Sequence, residues 1–418
     1  MVNISLFVRA ILILVFVLGA HATAAKPDAK LLDAANSEQS ALIETLKSLV
    51  MIESGSDDAV GLATIADFLY SRLQTLGFTI EREKSSTEVG AETLVGTMTG
   101  SGRQKIMLMA HMDTIYDTGI LQTQPYQIDG NKMYGPGIAD AKGGIALILH
   151  ALKILADTGW TDYAELTVLF NPDEETGSRG SGEIISKMAD QSDTVLSFEP
   201  TGTSASGVWL LLGTASYASV RMEVTGRGSH AGSAPETGRN AIIELAHQLL
   251  QTQDVAKNIT GAQLNWTNIV SDQAINQIPD LAIAIGDGRI TVPGAEKELR
   301  VALQAKVNES KLVPNTQTNV AVDIIRPGFV ATSAGYQVAE LARTIYKEIH
   351  GGGFWLVPMT KGATDAGYAG RSRKAAVVES LGLPGADYHA SNEYIEIDAI
   401  PRHLYLVTRL LTELGQQL

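Results

Sequence analysis

An uninterrupted apolar segment at Ile106–Ala110 most restricts what this chain can fold into. A strand without polar alternation is buried on both faces, as in a parallel sheet covered by helices. Strand-like segments recur at 165–170 and 194–198, and apolar residues at helical spacing occupy 41–76 and 145–155. Strands that alternate with helices predict an α/β domain with a mainly parallel, mixed sheet.

The pattern changes in the middle of the chain. Residues 217–225 and 281–290 alternate like strands with one exposed face, and a helical segment lies between them. We therefore predict that a smaller α+β domain, 215–325, is inserted into the α/β domain. The α/β domain would then consist of 25–214 and 326–418.

The chain begins with an apolar segment that resembles an export signal. Residues 4–20 are apolar except for Arg9, and Ala22-Thr23-Ala24 fits the A-x-A cleavage pattern. The uninterrupted part, Ala10–Ala20, is short for a bilayer span, which needs about 20 residues. We predict that 1–24 form a signal peptide, that the mature protein is periplasmic or secreted, and that it keeps no stable membrane anchor. An uncleaved anchor is the alternative.

Composition excludes several classes of function. The chain has 32 Lys and Arg against 46 Asp and Glu, a formal net charge of -14. This charge repels phosphate backbones, so we predict no nucleic-acid partner. The chain has no cysteine, which excludes a thiol nucleophile, a disulfide framework and thiolate metal sites. Any metal must therefore be held by His, Asp and Glu.

Polar side chains follow the predicted strands where those strands end. His111 and Asp113 follow the first strand, Asp173-Glu174-Glu175 the second and Glu199 the third. Ligands collect at the carboxyl ends of strands in an open α/β sheet. The spacing lets His111 bind a metal while Asp113 orients its imidazole. A structural histidine and a solvated acidic turn are the alternative interpretations.

Two further segments extend this set of ligands. Asp140 lies in a Gly-rich turn, 135–144, where a carboxylate can bridge two cations or can simply cap a helix. Tyr388-His389 follows a Gly- and Pro-rich turn at 382–386. Nitrogen and oxygen ligands without thiolate suit two zinc ions, with cobalt or manganese as substitutes.

Short motifs that surround these residues occur in order along the chain. They are L-M-A-H-M-D-T-I-Y (108–116), G-P-G-I-A-D-A-K-G-G (135–144), N-P-D-E-E-T-G-S (171–178), S-F-E-P (197–200), G-R-G-S-H-A-G-S-A-P (226–235), Q-I-P (277–279), T-D-A (364–366), E-S-L-G-L-P-G (379–385) and Y-H (388–389). Together they cover essentially the whole mature chain. They resemble the motifs of the di-zinc metallopeptidases that include glutamate carboxypeptidase, aminoacylase and succinyl-diaminopimelate desuccinylase, and the resemblance is closest to the secreted bacterial glutamate carboxypeptidases.

The resemblance implies a catalytic domain of the di-zinc exopeptidase type and an inserted domain that acts as a lid and dimer interface. It implies that His111, Asp140 and Glu199 hold one zinc ion. Asp140, Glu175 and His389 would hold the other, with Asp140 bridging. The resemblance also implies a cis peptide bond after Asp140 and a homodimer.

The resemblance further assigns roles around the metals. Glu174 would be the general base, and His230 would stabilise the oxyanion, often from the partner subunit. Arginine offers a bidentate fork to a carboxylate. The residues expected to bind or frame the substrate, chiefly at its carboxylate end, are Arg326, Asn276, Arg289 and Thr364.

We therefore predict a zinc-dependent hydrolase that releases a C-terminal amino acid from a small peptide or an N-acyl amino acid. The stretch Thr203–Trp209 lacks the lysine that glutamate-specific relatives carry there, and Lys361 adds a positive charge near the pocket. The missing lysine favours an apolar or aromatic released residue, packed against Trp209. Restoration of the charge by Lys361 would instead keep a preference for glutamate. Two further hypotheses stay open: an aminopeptidase or dipeptidase, and a catalytically silent exported binding protein.

Overall fold

The computed structural model describes residues 26–85, 89–350, 353–372 and 374–416; the predicted signal peptide, 1–24, lies outside these ranges. None of the helices within them is long and apolar enough to cross a bilayer. The α-helices are α1 (Ala29–Val50), α2 (Ala59–Thr75), α3 (Gly144–Asp157), α4 (Gly182–Gln191), α5 (Ala241–Thr252), α6 (Ala295–Glu309), α7 (Ser333–Ile349), α8 (Ala366–Ala369) and α9 (Ile400–Gly415).

The strands fall into one large sheet, two four-stranded sheets and several two-stranded ribbons. They are β1 (Thr79–Lys84), β2 (Glu92–Thr99), β3 (Lys105–His111), β4 (Gln127–Asp129), β5 (Lys132–Tyr134), β6 (Glu165–Asn171), β7 (Thr194–Ser197), β8 (Val208–Leu211), β9 (Gly213–Thr214), β10 (Ser216–Thr225), β11 (Ser229–His230), β12 (Ala262–Val270), β13 (Gln277–Ile278), β14 (Leu281–Ile290), β15 (Gln317–Arg326), β16 (Phe329–Val330), β17 (Phe354–Val357), β18 (Ala376–Val378), β19 (Gly385–Ala386) and β20 (Tyr394–Glu396).

The large sheet has the strand order β1-β2-β6-β3-β7-β18. The pairs β6/β3, β3/β7 and β7/β18 are parallel, while β1/β2 and β2/β6 are antiparallel. Strand β3 is buried on both faces: Ile106 and Leu108 pack in a core with α1, α3 and α9, and Met107 and Met109 pack against α4 and α8. The predicted α/β fold with a mainly parallel, mixed sheet is therefore confirmed.

A second sheet is formed by residues between 216 and 326. It is antiparallel with the order β12-β14-β10-β15, and α5 and α6 pack on one face of it. Strand β10 alternates between buried and partly exposed residues, as its sequence predicts. This sheet has its own hydrophobic cluster, separate from those around the large sheet. The predicted inserted domain, 215–325, would comprise this sheet and its two helices.

The segment that carries the second sheet leaves and rejoins the rest of the chain at neighbouring positions. Tyr217, near the start of β10, pairs with Arg326 at the end of β15. The N–H of Gly328 donates to Ser216 Oγ at 2.8 Å. A Cβ on Gly328 would lie 2.3 Å from the carbonyl oxygen of Thr214, so only glycine fits this approach. Both connections therefore run side by side.

Candidate active site

Five side chains gather at the carboxyl edge of the large sheet and form two groups that share Asp140. His111 ends β3, while Glu175 and Glu199 follow β6 and β7. His389 comes from the loop between β19 and β20. Within each group, His111/Asp140/Glu199 and Asp140/Glu175/His389, the potential ligand atoms lie within 4.8 Å of one another. The structure thus brings together all five predicted metal ligands.

The two carboxylate oxygens of Asp140 face different histidines. Oδ1 lies 2.9 Å from Nε2 of His111, and Oδ2 lies 3.3 Å from Nε2 of His389. Nε2 of His389 is also 3.3 Å from Glu175 Oε2, and Nε2 of His111 is 3.7 Å from Glu199 Oε2. This is the arrangement that a bridging carboxylate between two cations requires.

The chemistry of these side chains fits two zinc ions. Each group offers one imidazole nitrogen and two carboxylates, which is the three-ligand set of a catalytic zinc with a further position for water or substrate. Burial raises the pKa of Glu199 to about 7 and also raises the pKa of Glu175. Divalent cations would offset this cost by stabilising the ionised carboxylates.

The turn that carries Asp140 has two backbone features of interest. Gly137 has a φ of 70°, and a Cβ there would lie 2.5 Å from Thr114 Cγ2. Glycine is therefore required for both conformation and space. The peptide bond between Asp140 and Ala141 is cis, as the resemblance implies.

Asp113 connects the first histidine with the acidic turn. Its Oδ1 lies 3.3 Å from Nδ1 of His111, which leaves Nε2 directed at Asp140. Oδ1 also accepts the backbone N–H of Glu174 at 3.0 Å, and Oδ2 accepts the N–H of Glu175 at 3.1 Å. The fully buried Asp113 therefore contacts two ligand-bearing segments, whereas its sequence position predicts only the contact with His111.

Glu174 is buried beside the metal-ligand groups and forms an ion pair with Arg326. Burial raises the pKa of Glu174 well above its usual range, although Arg326 and His111 oppose the shift. Arg326 also donates to the carbonyl oxygen of Ala363 at 2.8 Å. A carboxyl group with a raised pKa next to a metal centre has the properties of a general base and acid.

A cavity of about 800 Å³ opens onto these groups. One wall is apolar and comes from β8 and the end of β17, and includes Trp209. Thr364 also lines the cavity, and its buried hydroxyl has no hydrogen-bond partner among the described residues. Arg289 lines it as well and forms two hydrogen bonds of 2.8 Å with Asp287. Lys361 is not part of the lining; its Nζ donates to Gln263 Oε1 at 2.6 Å.

His230 and Asn276 do not line this cavity. They lie beside each other instead, because β11 pairs with β13 and the N–H of Ala231 donates to the carbonyl oxygen of Asn276 at 2.8 Å. Nδ1 of His230 accepts the backbone N–H groups of Gly232 and Ser233, each at 3.1 Å. In the neutral ring the proton must therefore be on Nε2, which is left as a donor.

Sequence reasoning missed two residues at this site. Arg179 lines the cavity on the loop after Glu175, and no described residue forms an ion pair with its guanidinium. Glu393 lies beneath the Asp140 turn and accepts three of its backbone N–H groups. The only sequence signal for Glu393 is its place four residues after His389. A glutamate exposed to solvent would fit that position equally well.

The fold and the site define a class of protein, the metal-dependent hydrolases with two ions at the carboxyl edge of an α/β sheet. Residues 107–413 match the family described as Peptidase family M20/M25/M40, and the chain belongs to this family. It is 44% identical to carboxypeptidase G2 of Pseudomonas sp. (strain RS-16) over 409 residues, which cover 98% of this chain and 97% of that protein.

Solved structures confirm the fold. Aminopeptidase PepT from Bacillus cereus superposes with a TM-score of 0.73 and 19% identity, over 90% of this chain and 99% of that one. The M20 family metallo-carboxypeptidase Sso-CP2 from Sulfolobus solfataricus gives a TM-score of 0.70 and 18% identity, with the same coverage.

The family match and the close relative confirm the predicted class of activity. The chain is a zinc-dependent metallo-carboxypeptidase or amidohydrolase whose cofactors are two zinc ions. The predicted resemblance to the di-zinc metallopeptidases is confirmed as well.

Proposed function

We propose that this protein is an exported, dimeric di-zinc carboxypeptidase that uses Glu174 to hydrolyse the amide bond before a C-terminal amino acid. The observation that carries the proposal is the buried Glu174, which lines one cavity together with members of both metal-ligand groups and three arginines. Cationic side chains in the cavity favour a substrate with a free carboxylate.

The metal ligands and the base have separate roles in this proposal. His111, Asp140 and Glu199 would hold one zinc ion, and Asp140, Glu175 and His389 the other. When bound, the two ions supply Lewis acidity that lowers the pKa of water and polarises an amide carbonyl. The Glu174 carboxylate takes a proton from the attacking water and delivers it to the leaving nitrogen.

The substrate's carboxylate would be bound by arginines that line the cavity. Arg326 and Arg289 both line the cavity, and each guanidinium is already oriented by a carboxylate, Glu174 and Asp287 respectively. The buried hydroxyl of Thr364 has no other described partner and supplies a further donor. Recognition at this end would make the enzyme an exopeptidase.

An aminopeptidase is less consistent with the cavity. An aminopeptidase needs an acidic group for the substrate's free amine. Among the described residues that line the cavity, the carboxylates all belong to the metal-ligand groups or to Glu174. We therefore favour carboxypeptidase activity over aminopeptidase or dipeptidase activity.

We propose that His230 and Asn276 act as one unit in the cavity of the partner subunit. His230 lies on β11 and Asn276 directly precedes β13, its paired strand, and neither lines the cavity of its own chain. Nε2 of His230 is a donor suited to a developing oxyanion. The inserted domain, 215–325, would thus be both lid and dimer interface.

The surface of the second sheet supports dimerisation. Helix α5 exposes Ile242, Ala246 and Leu250 at a spacing of four residues, with Ile242 43% and Leu250 71% exposed. On the edge strand β12, Ile269 and Val270 are also exposed. An exposed apolar helix face beside an open sheet edge is typical of an interface between subunits.

We further propose that residues 1–24 direct export to the periplasm or medium and are then removed. The apolar segment 4–20 and the cleavage pattern at Ala22-Thr23-Ala24 support this proposal.

The base assignment can be tested with Glu174→Gln in the zinc-loaded mature protein. We expect kcat to fall by about 10²- to 10⁴-fold, the usual contribution of a general base, with two zinc ions still bound. Glu165→Gln, at the opposite end of β6, is the matched control and should retain wild-type turnover. A Glu174→Gln enzyme with most of its activity would refute the assignment.

The substrate panel should consist of N-acyl amino acids and dipeptides that end in glutamate, leucine or phenylalanine, each also as a C-terminal amide. We expect hydrolysis of the free acids and none of the amides. Cleavage of the amides at equal rates would exclude carboxylate recognition.

A further inference from the structure

We propose that Glu393 is a positioning residue for Asp140, the ligand shared by both metal groups. It would act through the backbone of the turn rather than through the Asp140 side chain. This inference rests on the metal-ligand assignments of the proposed function. It concerns a residue outside those ligand groups.

Glu393 is only 2% exposed, and both of its carboxylate oxygens are fully used. Oε1 accepts the N–H groups of Ala139 at 2.8 Å and Asp140 at 3.0 Å. Oε2 accepts the N–H of Gly137 at 2.9 Å and lies 3.0 Å from the hydroxyl of Tyr116. No described lysine or arginine forms an ion pair with it, so these dipoles stabilise the buried carboxylate.

These contacts fix the turn up to and including the shared ligand. The N–H of Asp140 itself is held, and so are those of two residues that precede it. The carbonyl oxygen of Glu393 also accepts the N–H of Gly135 at 3.3 Å. A carboxylate that binds three N–H groups of one turn leaves its backbone little freedom, so the position of the Asp140 Cα is set by Glu393.

Tyr116 extends this arrangement to two further segments. Its hydroxyl lies 3.0 Å from Glu393 Oε2 and 3.1 Å from the carbonyl oxygen of Ala390, the residue after His389. Tyr116 itself follows the strand that ends at His111. Glu393 and Tyr116 therefore connect the segments that carry His111, Asp140 and His389.

The same design occurs once more in the site. Asp113 accepts the N–H groups of Glu174 and Glu175 and so holds the acidic turn from below. Glu393 holds the backbone of the Asp140 turn in the same way as Asp113 holds the backbone of the turn that carries Glu174 and Glu175. Groups that support metal ligands in this way commonly contribute a factor of 10–100 to metal affinity.

The test is the zinc affinity of Glu393→Gln, measured on the full mature protein by competition with a chromogenic chelator. A glutamine amide has one acceptor, and its NH2 group would face an N–H of the turn. We expect at least one of the two zinc ions to bind 10- to 100-fold more weakly. Wild-type affinity for both ions would overturn the proposal.

Glu53→Gln is the matched control. Glu53 also accepts two backbone N–H groups, those of Gly119 at 2.7 Å and Leu121 at 2.9 Å, but that turn carries no metal ligand. We expect its zinc affinity to stay within about twofold of wild type, since it positions no ligand. Equal losses in the two variants would mean that Glu393 has only a structural role.

Tyr116→Phe serves if Glu393→Gln does not fold. It removes only the hydroxyl, and we expect a smaller loss of zinc affinity with unchanged KM and a reduced kcat at limiting zinc. Unchanged zinc affinity in a folded Tyr116→Phe protein would then overturn the proposal. Because affinity is read without turnover, a protein that binds two zinc ions but hydrolyses no substrate would contradict the proposed function alone.

Discussion

Most buried polar side chains at the site have hydrogen-bond partners. Asp365 accepts the side chains of Asn171, at 2.6 Å, and Ser178. In the same network, Asp173 of the acidic turn accepts a hydrogen bond from the hydroxyl of Ser181. The adjacent Thr364 differs, because its buried hydroxyl has no partner among the described residues although it lines the cavity. A buried polar group without a partner costs stability, so a ligand contact is its simplest explanation.

Thr364→Val should separate binding from stability. Removal of an unpartnered hydroxyl should leave the melting temperature unchanged or slightly raised. Loss of a hydrogen bond to the substrate should raise KM by up to about tenfold, the equivalent of about 1.4 kcal/mol. Steady-state kinetics and thermal unfolding measure both effects. Thr364→Ser is the control, and an unchanged KM in the valine variant would contradict a substrate contact.

The sequence allowed prediction of the residues whose role follows from a strand end. His111 ends a buried strand, and Glu175 and Glu199 follow the ends of two others, so their convergence follows from the sheet. Glu393 and Arg179 lie in polar loops, where one charged residue has no periodic or positional signal. Only the folded chain brings them to the site.

Among the elements, those with many buried residues were predictable and those with few were not. Helix α6 buries only Ala295, Leu299, Leu303 and Val307, and charged residues surround that narrow stripe. Strand β12 is an edge strand with no fully buried residue, so its pattern is weak. Tertiary pairing, rather than local pattern, determines edge elements such as β12. Helix α9 has a clear buried stripe but is absent from the predicted elements.

Helix α9 also carries a buried ionisable group that should affect stability at acid pH. His403 is 1% exposed, and burial lowers its pKa to about 3. In the unfolded chain the pKa is about 6.5. Between these values the unfolded state binds the additional proton, so the free energy of unfolding falls as pH falls from about 6.5 toward 3.

His403→Leu should remove this part of the pH dependence. Relative to the variant, the wild type should lose about 2 kcal/mol between pH 7.5 and pH 5, from 1.4 kcal/mol per pH unit below 6.5. Urea unfolding of both proteins at the two pH values measures this change in the free energy of unfolding. The comparison at pH 7.5, where His403 is neutral in both states, gives the cost of the substitution itself. Parallel pH profiles would rule out a buried neutral histidine.

At the scale of the whole molecule, the proposed dimer makes each active site depend on two chains. His230 and Asn276 lie outside the cavity of their own chain, whereas Glu174 lies inside it. Either Glu174→Gln or His230→Ala alone should therefore inactivate both sites of a homodimer.

Mixed subunits should recover activity. After equal amounts of the two variants are unfolded and refolded together, about half of the dimers combine one chain of each kind, since pairing in a symmetric dimer is random. Each such dimer has one site with intact Glu174 and intact His230, so we expect about a quarter of wild-type activity. Mixing without subunit exchange is the control. No recovery in a mixture shown to contain heterodimers would exclude action across the interface.

The side-by-side connections of the second sheet have a mechanical consequence. Tyr217, Arg289 and Arg326 lie in register at the end near the large sheet, while Thr225, Leu281 and Gln317 lie at the other end. At about 3.3 Å per residue, these ten-residue strands form a lever arm of roughly 30 Å. A rotation of about 10° at Arg326 would displace the His230 end by roughly 5 Å. Small angular changes beside the proposed base, Glu174, would thus become large movements at the proposed oxyanion donor, His230.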